Sequence, residues 1–391
     1  MLSVLSLEGS SLKILAISLG MDFNLREGCT PVWWQLFKAL YEEGVEVVNM
    51  SLRGDSIDTL WWRSVTSPCR RISNLGSTWL KARKSTDLDN SQSTTTKIDV
   101  VLAKHIIGRS LEKKIVQILR AETDFDCVIF MSVDPRLVSR AAALVDQYFA
   151  IPALFYEADM PVALPSYNPS SPYSNVDLSV FDAIITNSKG AEKPLKEIGA
   201  LRVYTLYYGA DPEVYSPLDT EEDIDVFFFG YGSKERKHWI DVMLNAPSLV
   251  MKGTLFAVGG NVDVVSSVRR LGDIPFPLYR RMCCRSKLSL NITRSPFAEV
   301  YGSSNVRLFE LAALGRCLVM NPVLGIEEWF EPGKEIIMPR DEDEVLEIYN
   351  WLLDSHEERA RIGKSARERL LKEHTYRHRA RQLISIIESL V

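Results

Sequence analysis

The stretch LSLNITRSPFAEVYGSSNVRLFELAALGRCLVM, Leu288–Met320, reads as one strand, loop, helix and strand. LSLNI and CLVM are short apolar runs of strand length. Between them Val306, Phe309, Leu311 and Ala313 supply an apolar helical face behind the capping residues Ser303, Ser304 and Asn305, and Gly315 supplies the stop. A helix spliced between two such strands makes them a parallel pair, since parallel strands need a crossover rather than a hairpin. Working outward, the alternation predicts further strands at Val226–Phe229, Thr254–Val258 and Glu335–Met338. Tyr208–Asp225, rich in Gly, Pro and acidic residues, reads as a linker. Before it a second series of strands is expected at Ile14–Leu19, Val45–Met50, Cys127–Ser132, Ala153–Tyr156, Ala183–Thr186 and Val203–Leu206, mostly apolar on both faces, as helix-covered strands are. The expected fold is α/β, with two parallel-sheet domains and a cleft between them. Residues 1–207 form the first domain, 208–224 the linker, and 225–374 the second. The terminal helix, 375–391, carries Leu383, Ile386, Ile387 and Leu390 on one stripe and must pack on another surface.

The chain has 391 residues, 46% hydrophobic and 25% charged, a profile of folded rather than disordered proteins. A net charge of -5 argues against a nucleic-acid partner, because no excess positive field is present to hold a polyphosphate. The six cysteines are scattered and read as reduced thiols, which predicts a cytoplasmic protein. No apolar run approaches a membrane span, and the first residues lack the basic and apolar regions of a leader, so contact with a membrane is expected to be peripheral at most. Ser51–Lys97 breaks the alternation. Its tryptophans Trp61, Trp62 and Trp79 and its basic residues Arg63, Arg70, Arg71, Lys81, Arg83 and Lys84 predict a mobile insertion over the cleft, plain disorder being the other reading.

Ligands of such folds lie at the carboxyl ends of the strands, where helix N-termini favour anions. In the 301–316 segment the turn Ser303, Ser304 and Asn305 together with Arg307 suits a diphosphate, and Glu310 on the next turn suits ribose hydroxyls. The same residues also fit a capped amphipathic helix with Arg307 and Glu310 turned to solvent. Gly230 in GYGSKERK permits close backbone approach, and Arg236 or Lys237 can reach a phosphate, although a surface charge run fits that segment too. Asp22 and Glu27 after the first strand, and Glu157 and Asp159 after the fourth, are candidates for a general base. No metal site is expected. His374 and His378 have no third ligand nearby, and the Asp-x-Asp pairs at 87, 124, 223 and 341 fall in a polar run, before strands or at a helix start.

These residues carry a resemblance. DAIITNSKGAEKPLKEIGALRVYTLYYGADPEVYSP, Asp182–Pro217, resembles the end of the first domain in GT-B glycosyltransferases, including the Gly209, Asp211 and Pro217 linker. The segments DVFFFGYGSKERKHWI, RRLGDIPFPLYRRMCCRSKLSLNITR and SSNVRLFELAALGRCLV resemble the donor domain of the CgeB-like branch of the family 4-like enzymes. The resemblance implies two facing Rossmann-like domains, a nucleoside-diphosphate sugar as donor substrate without a further cofactor, and a C-terminal helix crossing back to the first domain. It implies a ribose contact at Glu310, diphosphate contacts at Ser304, Asn305 and Arg307, and a basic phosphate ligand at Arg236 or Lys237. Retaining enzymes of family 4 carry a glutamate eight residues before the ribose glutamate, where this chain has Gly302, with Glu299 nearby but out of register. Stereochemistry is therefore left open. The expected activity is metal-independent transfer of a sugar to a hydroxyl acceptor, lipid-linked or another glycan, with residues 51–97 contacting that acceptor or an anionic membrane surface. A nucleotide-sugar epimerase and a catalytically inactive binding module are the alternatives.

Overall fold

The computed structural model of the chain describes residues 12–21, 32–69 and 94–391, with side chains from 105 onward in the last stretch. The first sheet is parallel, with strands β1 (Lys13–Gly20), β2 (Glu46–Arg53), β3 (Arg63–Ser64), β4 (Cys127–Met131), β5 (Ala153–Glu157), β6 (Ala183–Thr186) and β7 (Val203–Thr205) in the order β3-β2-β1-β4-β5-β6-β7. Leu15, for example, faces Val48 on one side and Val128 on the other. The second sheet comprises β8 (Ile224–Phe229), β9 (Phe256–Gly259), β10 (Arg269–Arg270), β11 (Ser286–Asn291) and β12 (Cys317–Met320), ordered β10-β9-β8-β11-β12 and also parallel. In each sheet the strand order reverses direction once, between β1 and β4 and between β8 and β11. Those are the places where loops leaving the strand ends diverge and open a crevice.

Helices cover both faces of the sheets. Helix α1 (Val32–Glu42) buries Trp33, Leu36, Phe37 and Leu40 against β1, β2 and β4. Helices α2 (Thr94–Ala121) and α3 (Pro135–Phe149) lie on the opposite face, α3 opening on Asp134, whose carboxylate accepts from the Arg136 amide. On the second sheet, α4 (Phe276–Arg285) and α5 (Val306–Ala313) bury Tyr279, Cys283, Phe309 and Ala312. After α6 (Glu344–Asp354) and α7 (His356–Glu373), helix α8 (Tyr376–Glu388) leaves the second sheet and packs Tyr376, Ala380, Leu383 and Ile387 into the core formed by α1 and the first sheet.

Two expectations need correction. Glu335–Met338 does not form a strand: Ile337 makes one bridge to Val319 and Ile336 one to Pro332. A turn at 332–335 precedes it, and Pro339, which has no N–H, cannot extend a ladder beyond it. The insertion expected over Ser51–Lys97 is shorter, because Ser51–Arg53 belong to β2, Arg63–Ser64 form an edge strand, and α2 begins at Thr94. Trp62 is buried, packs 5.7 Å from the Phe37 ring and donates to the Ile57 carbonyl, while Trp61 packs on Trp34. Both tryptophans lie beside Val45 and Glu46, where β2 begins, at the end of the sheet opposite the carboxyl ends of the strands. Trp79 and residues 70–93 lie outside the described residues.

The two chain crossings between the domains run side by side. Ala210 bridges Thr375, and the Arg379 guanidinium donates to the Tyr208 carbonyl and to Nδ1 of His374. Because Arg379 can only donate, Nδ1 accepts and His374 Nε2 carries the proton that reaches the Trp329 carbonyl, 3.0 Å away. Burial, then the charges of Arg379 and Arg369, pull this imidazole down to about 3. Its folded value lies below the unfolded one, so protons bind the unfolded chain preferentially as pH falls below about 6.5, and this group's contribution to stability is lost progressively down to about pH 3. His374→Gln keeps a donor for Trp329 and lacks the titration. Its chemical-denaturation midpoint is expected to fall less steeply than the wild type's between pH 6.5 and 4, and parallel slopes would refute the assignment.

Candidate active site

The crevice at the β8/β11 reversal holds a cavity of about 100 Å³ lined by Phe228, Phe229, Gly230 and Tyr231 from the end of β8, by Asn291, Ile292, Thr293 and Arg294 from the end of β11, and by Arg236, Phe297, Asn305 and Arg307. Two of its cations, Arg236 and Arg307, are held by backbone carbonyls. Arg236 donates to the carbonyls of Ile292 (2.9 Å) and Tyr231 (3.0 Å). Arg307, one position into α5, donates to the Phe229 carbonyl at 2.6 Å and lies over the rings of Phe229 and Tyr279. Burial, then the charges of Arg294 and Arg307, pull Arg236 down to about 10, still protonated at neutral pH. Asn305 caps α5, accepting from the Leu308 amide and donating to the Thr293 hydroxyl. A helix start, the glycine-containing loop after β8 and three guanidinium groups thus surround one small space, an arrangement that suits a diphosphate.

Of the residues proposed for the anion, Gly230, Arg236, Asn305 and Arg307 come together at this cavity. Lys237 does not: it is exposed at the start of a short helix and outside the lining. Ser303 and Ser304 are also elsewhere engaged. The Ser303 hydroxyl lies 2.6 Å from that of Ser188, and the Ser304 hydroxyl bonds the Asn187 carbonyl and the Tyr208 amide. With the Ser304 and Gly190 amides donating to Asn187 and Tyr301, these contacts form a seam between the domains, so capping of α5 falls to Asn305 alone. Gly302 belongs to the same seam. Its φ is +60°, its carbonyl accepts from the Lys189 amide, and a Cβ there would crowd Lys189 Cβ and Tyr207 Oη at 3.1 Å, so any side chain at this position is strained.

Glu310, a turn beyond Arg307, is fully buried beside Tyr215 and Gln35 and is not among the residues that line the cavity. Burial pushes its carboxyl up, opposed by the Arg307 charge and by the nearby polar groups of Tyr215 and Gln35. This is not the solvent-facing glutamate of a plain amphipathic helix.

The base candidates separate. Asp22 and Glu27 lie outside the described residues. Glu157 is buried and takes hydrogen bonds from Tyr173, Ser132 and the Asp159 amide, which hold it within its own domain. Asp159 stands at the cleft, ion-paired to Arg294 of the other domain, its carboxyl raised by burial against the pull of Arg294. Residue type alone does not single out Arg294; its place at the end of the LSLNITR strand, beside the reversal point, is the signal that does. Among the described residues no group of three or more His, Cys, Asp or Glu could hold a metal. Asp124 pairs with Lys13, Asp223 with Arg285 and Asp225 with Lys287. Among the described residues no helix is long and apolar enough to cross a membrane.

Residues 236–385 match a family model described as glycosyl transferase-like. No curated protein matches the sequence significantly. Similar solved structures include sucrose-phosphate synthase from Thermosynechococcus elongatus (TM-score 0.65, 13% identity, covering 97% of this chain and 99% of that one). Others are Anabaena HepE in complex with UDP-glucose (0.62, 12%, 97% and 100%) and an E. coli protein titled trehalose-6-phosphate, bound with UDP-2-fluoro glucose (0.65, 13%, 97% and 99%). The chain matches those structures over nearly its whole length, and with its two parallel-sheet α/β domains it has the GT-B fold.

Proposed function

We propose that the protein is a glycosyltransferase that moves a sugar from a nucleoside-diphosphate sugar to a hydroxyl acceptor without a divalent metal, in the CgeB-like, family 4-like branch that its motifs favour. The observation that carries this reading is the cavity at the β8/β11 reversal, walled by Arg236, Arg294 and Arg307 and opening toward Asp159 of the other domain. In the reaction the acceptor oxygen bonds the anomeric carbon, the bond from that carbon to the diphosphate breaks, and its electron pair stays on the diphosphate. Negative charge grows there, so fixed guanidinium groups stabilise the transition state more than the bound donor, which is the role a metal would otherwise fill. The acceptor proton passes to Asp159 if the anomeric carbon inverts, and to the departing diphosphate if configuration is retained. Glu310, fully buried one turn beyond Arg307 and outside the lining of the cavity, is assigned to the ribose on the resemblance of its motif, and structures with 12–13% identity and bound UDP sugars support a uridine donor as the first to try.

The test is a thermal-shift panel of nucleoside diphosphates and their sugars, since a ligand of the native state raises its melting temperature by an amount set by concentration over Kd. UDP or another nucleoside diphosphate is expected to shift it, and donor turnover is expected to continue in chelator. Turnover that stops in chelator and returns with magnesium would overturn metal independence. Product formed with water as the sole acceptor would favour an epimerase or hydrolase.

A further inference from the structure

Arg236 and Arg307 lean on carbonyls of their own domain, whereas the charge of Arg294 is met by a side chain 135 residues away on the other domain, Asp159. That pair lies at the mouth of the cavity: the Asp159 side chain is 55% exposed and the Arg294 side chain 25%. The guanidinium rests over the Phe297 ring, 4.7 Å from its centroid. Arg236 lies close enough to both partners for its charge to act on Asp159 and for Arg294 to act on it. A carboxylate therefore occupies the position from which an anion in the cavity would engage Arg294.

We propose that Asp159 is a resident substitute for the donor's diphosphate, holding Arg294 across the domains until a diphosphate takes that guanidinium over. The inference rests on the cavity being the diphosphate site. Carboxylate and phosphate oxygens compete for the same planar fork of donors, and the diphosphate, with more charge and two further arginines to bind, wins the exchange. The exchange also frees the Asp159 carboxylate to face the acceptor side of the cleft, so donor binds before acceptor.

The experiment titrates UDP and, separately, inorganic pyrophosphate into the full chain by calorimetry, using wild type, Asp159→Asn, Arg294→Ala and the double variant, each checked for an intact melting transition. Removing the competing anion is expected to tighten both ligands about two- to fivefold, the size of a partly exposed ion pair. Arg294→Ala is expected to weaken both about tenfold or more, from the loss of a charge-assisted hydrogen bond. In the double variant the gain from Asp159→Asn is expected to vanish, because its cause is gone. Unchanged or weaker affinity in Asp159→Asn, as a purely structural bridge would produce, overturns the proposal, and so does a gain that survives in the Arg294→Ala background. Failure of the underlying reading has a different signature: wild type then binds neither UDP nor pyrophosphate, which removes the diphosphate site and this proposal with it.

Discussion

Glu310→Gln is expected to produce a more stable protein that binds nucleotide poorly. The wild-type carboxylate sits wholly inside the core between α5, Tyr215 and Gln35, and burial raises its pKa against the pull of Arg307 and of those two polar groups. An ionised group in that state costs stability, and the sign follows: its folded pKa is above the unfolded one, so stability falls as pH rises through the carboxylate range and beyond. The neutral amide removes that cost, about 1–3 kcal/mol, and should raise the melting temperature most clearly at neutral pH. The same change weakens the ribose contact, where hydrogen bonds to a charged acceptor contribute about 1.5–3 kcal/mol, so donor Kd is expected to rise at least tenfold. Calorimetry and melting on one preparation read both effects. A destabilised variant with unaltered donor affinity would remove Glu310 from the site.

Arg307→Ala is expected to lower kcat by about a hundredfold or more while changing donor binding less, the loss typical when a fixed donor to developing charge is removed. Its geometry supports this. The Phe229 carbonyl and the faces of two aromatic rings hold the guanidinium, so it needs little reorganisation as the diphosphate departs. Arg307→Lys should recover little, since an ammonium reproduces neither the fork nor the stacking. Steady-state kinetics over a range of donor concentrations distinguishes the cases, and a defect confined to donor KM would assign Arg307 to ground-state binding.

Much of the architecture follows from the sequence alone, because strand and helix patterning is local. Leu288–Met320 displays a whole parallel unit within itself, and the positions of Arg236, Asn305 and Arg307 at strand ends and helix starts follow from the same register. Position along a strand or helix therefore sufficed to bring those residues to one cavity. Tertiary structure alone decided the residues whose roles depend on distant partners. Ser304 is a good capping residue by type, yet its hydroxyl is taken by Asn187, 117 residues away, because the domains dock there. Lys237 follows Arg236 directly, but one residue of helical rotation turns it to solvent. Glu157 and Asp159 are two residues apart and chemically alike, and only the loop after β5 separates a sequestered acceptor from a carboxylate that reaches Arg294. Side-chain type and spacing carry the information for secondary structure, whereas burial, pairing and charge state are set by surfaces that meet only after two separate sheets have folded and closed.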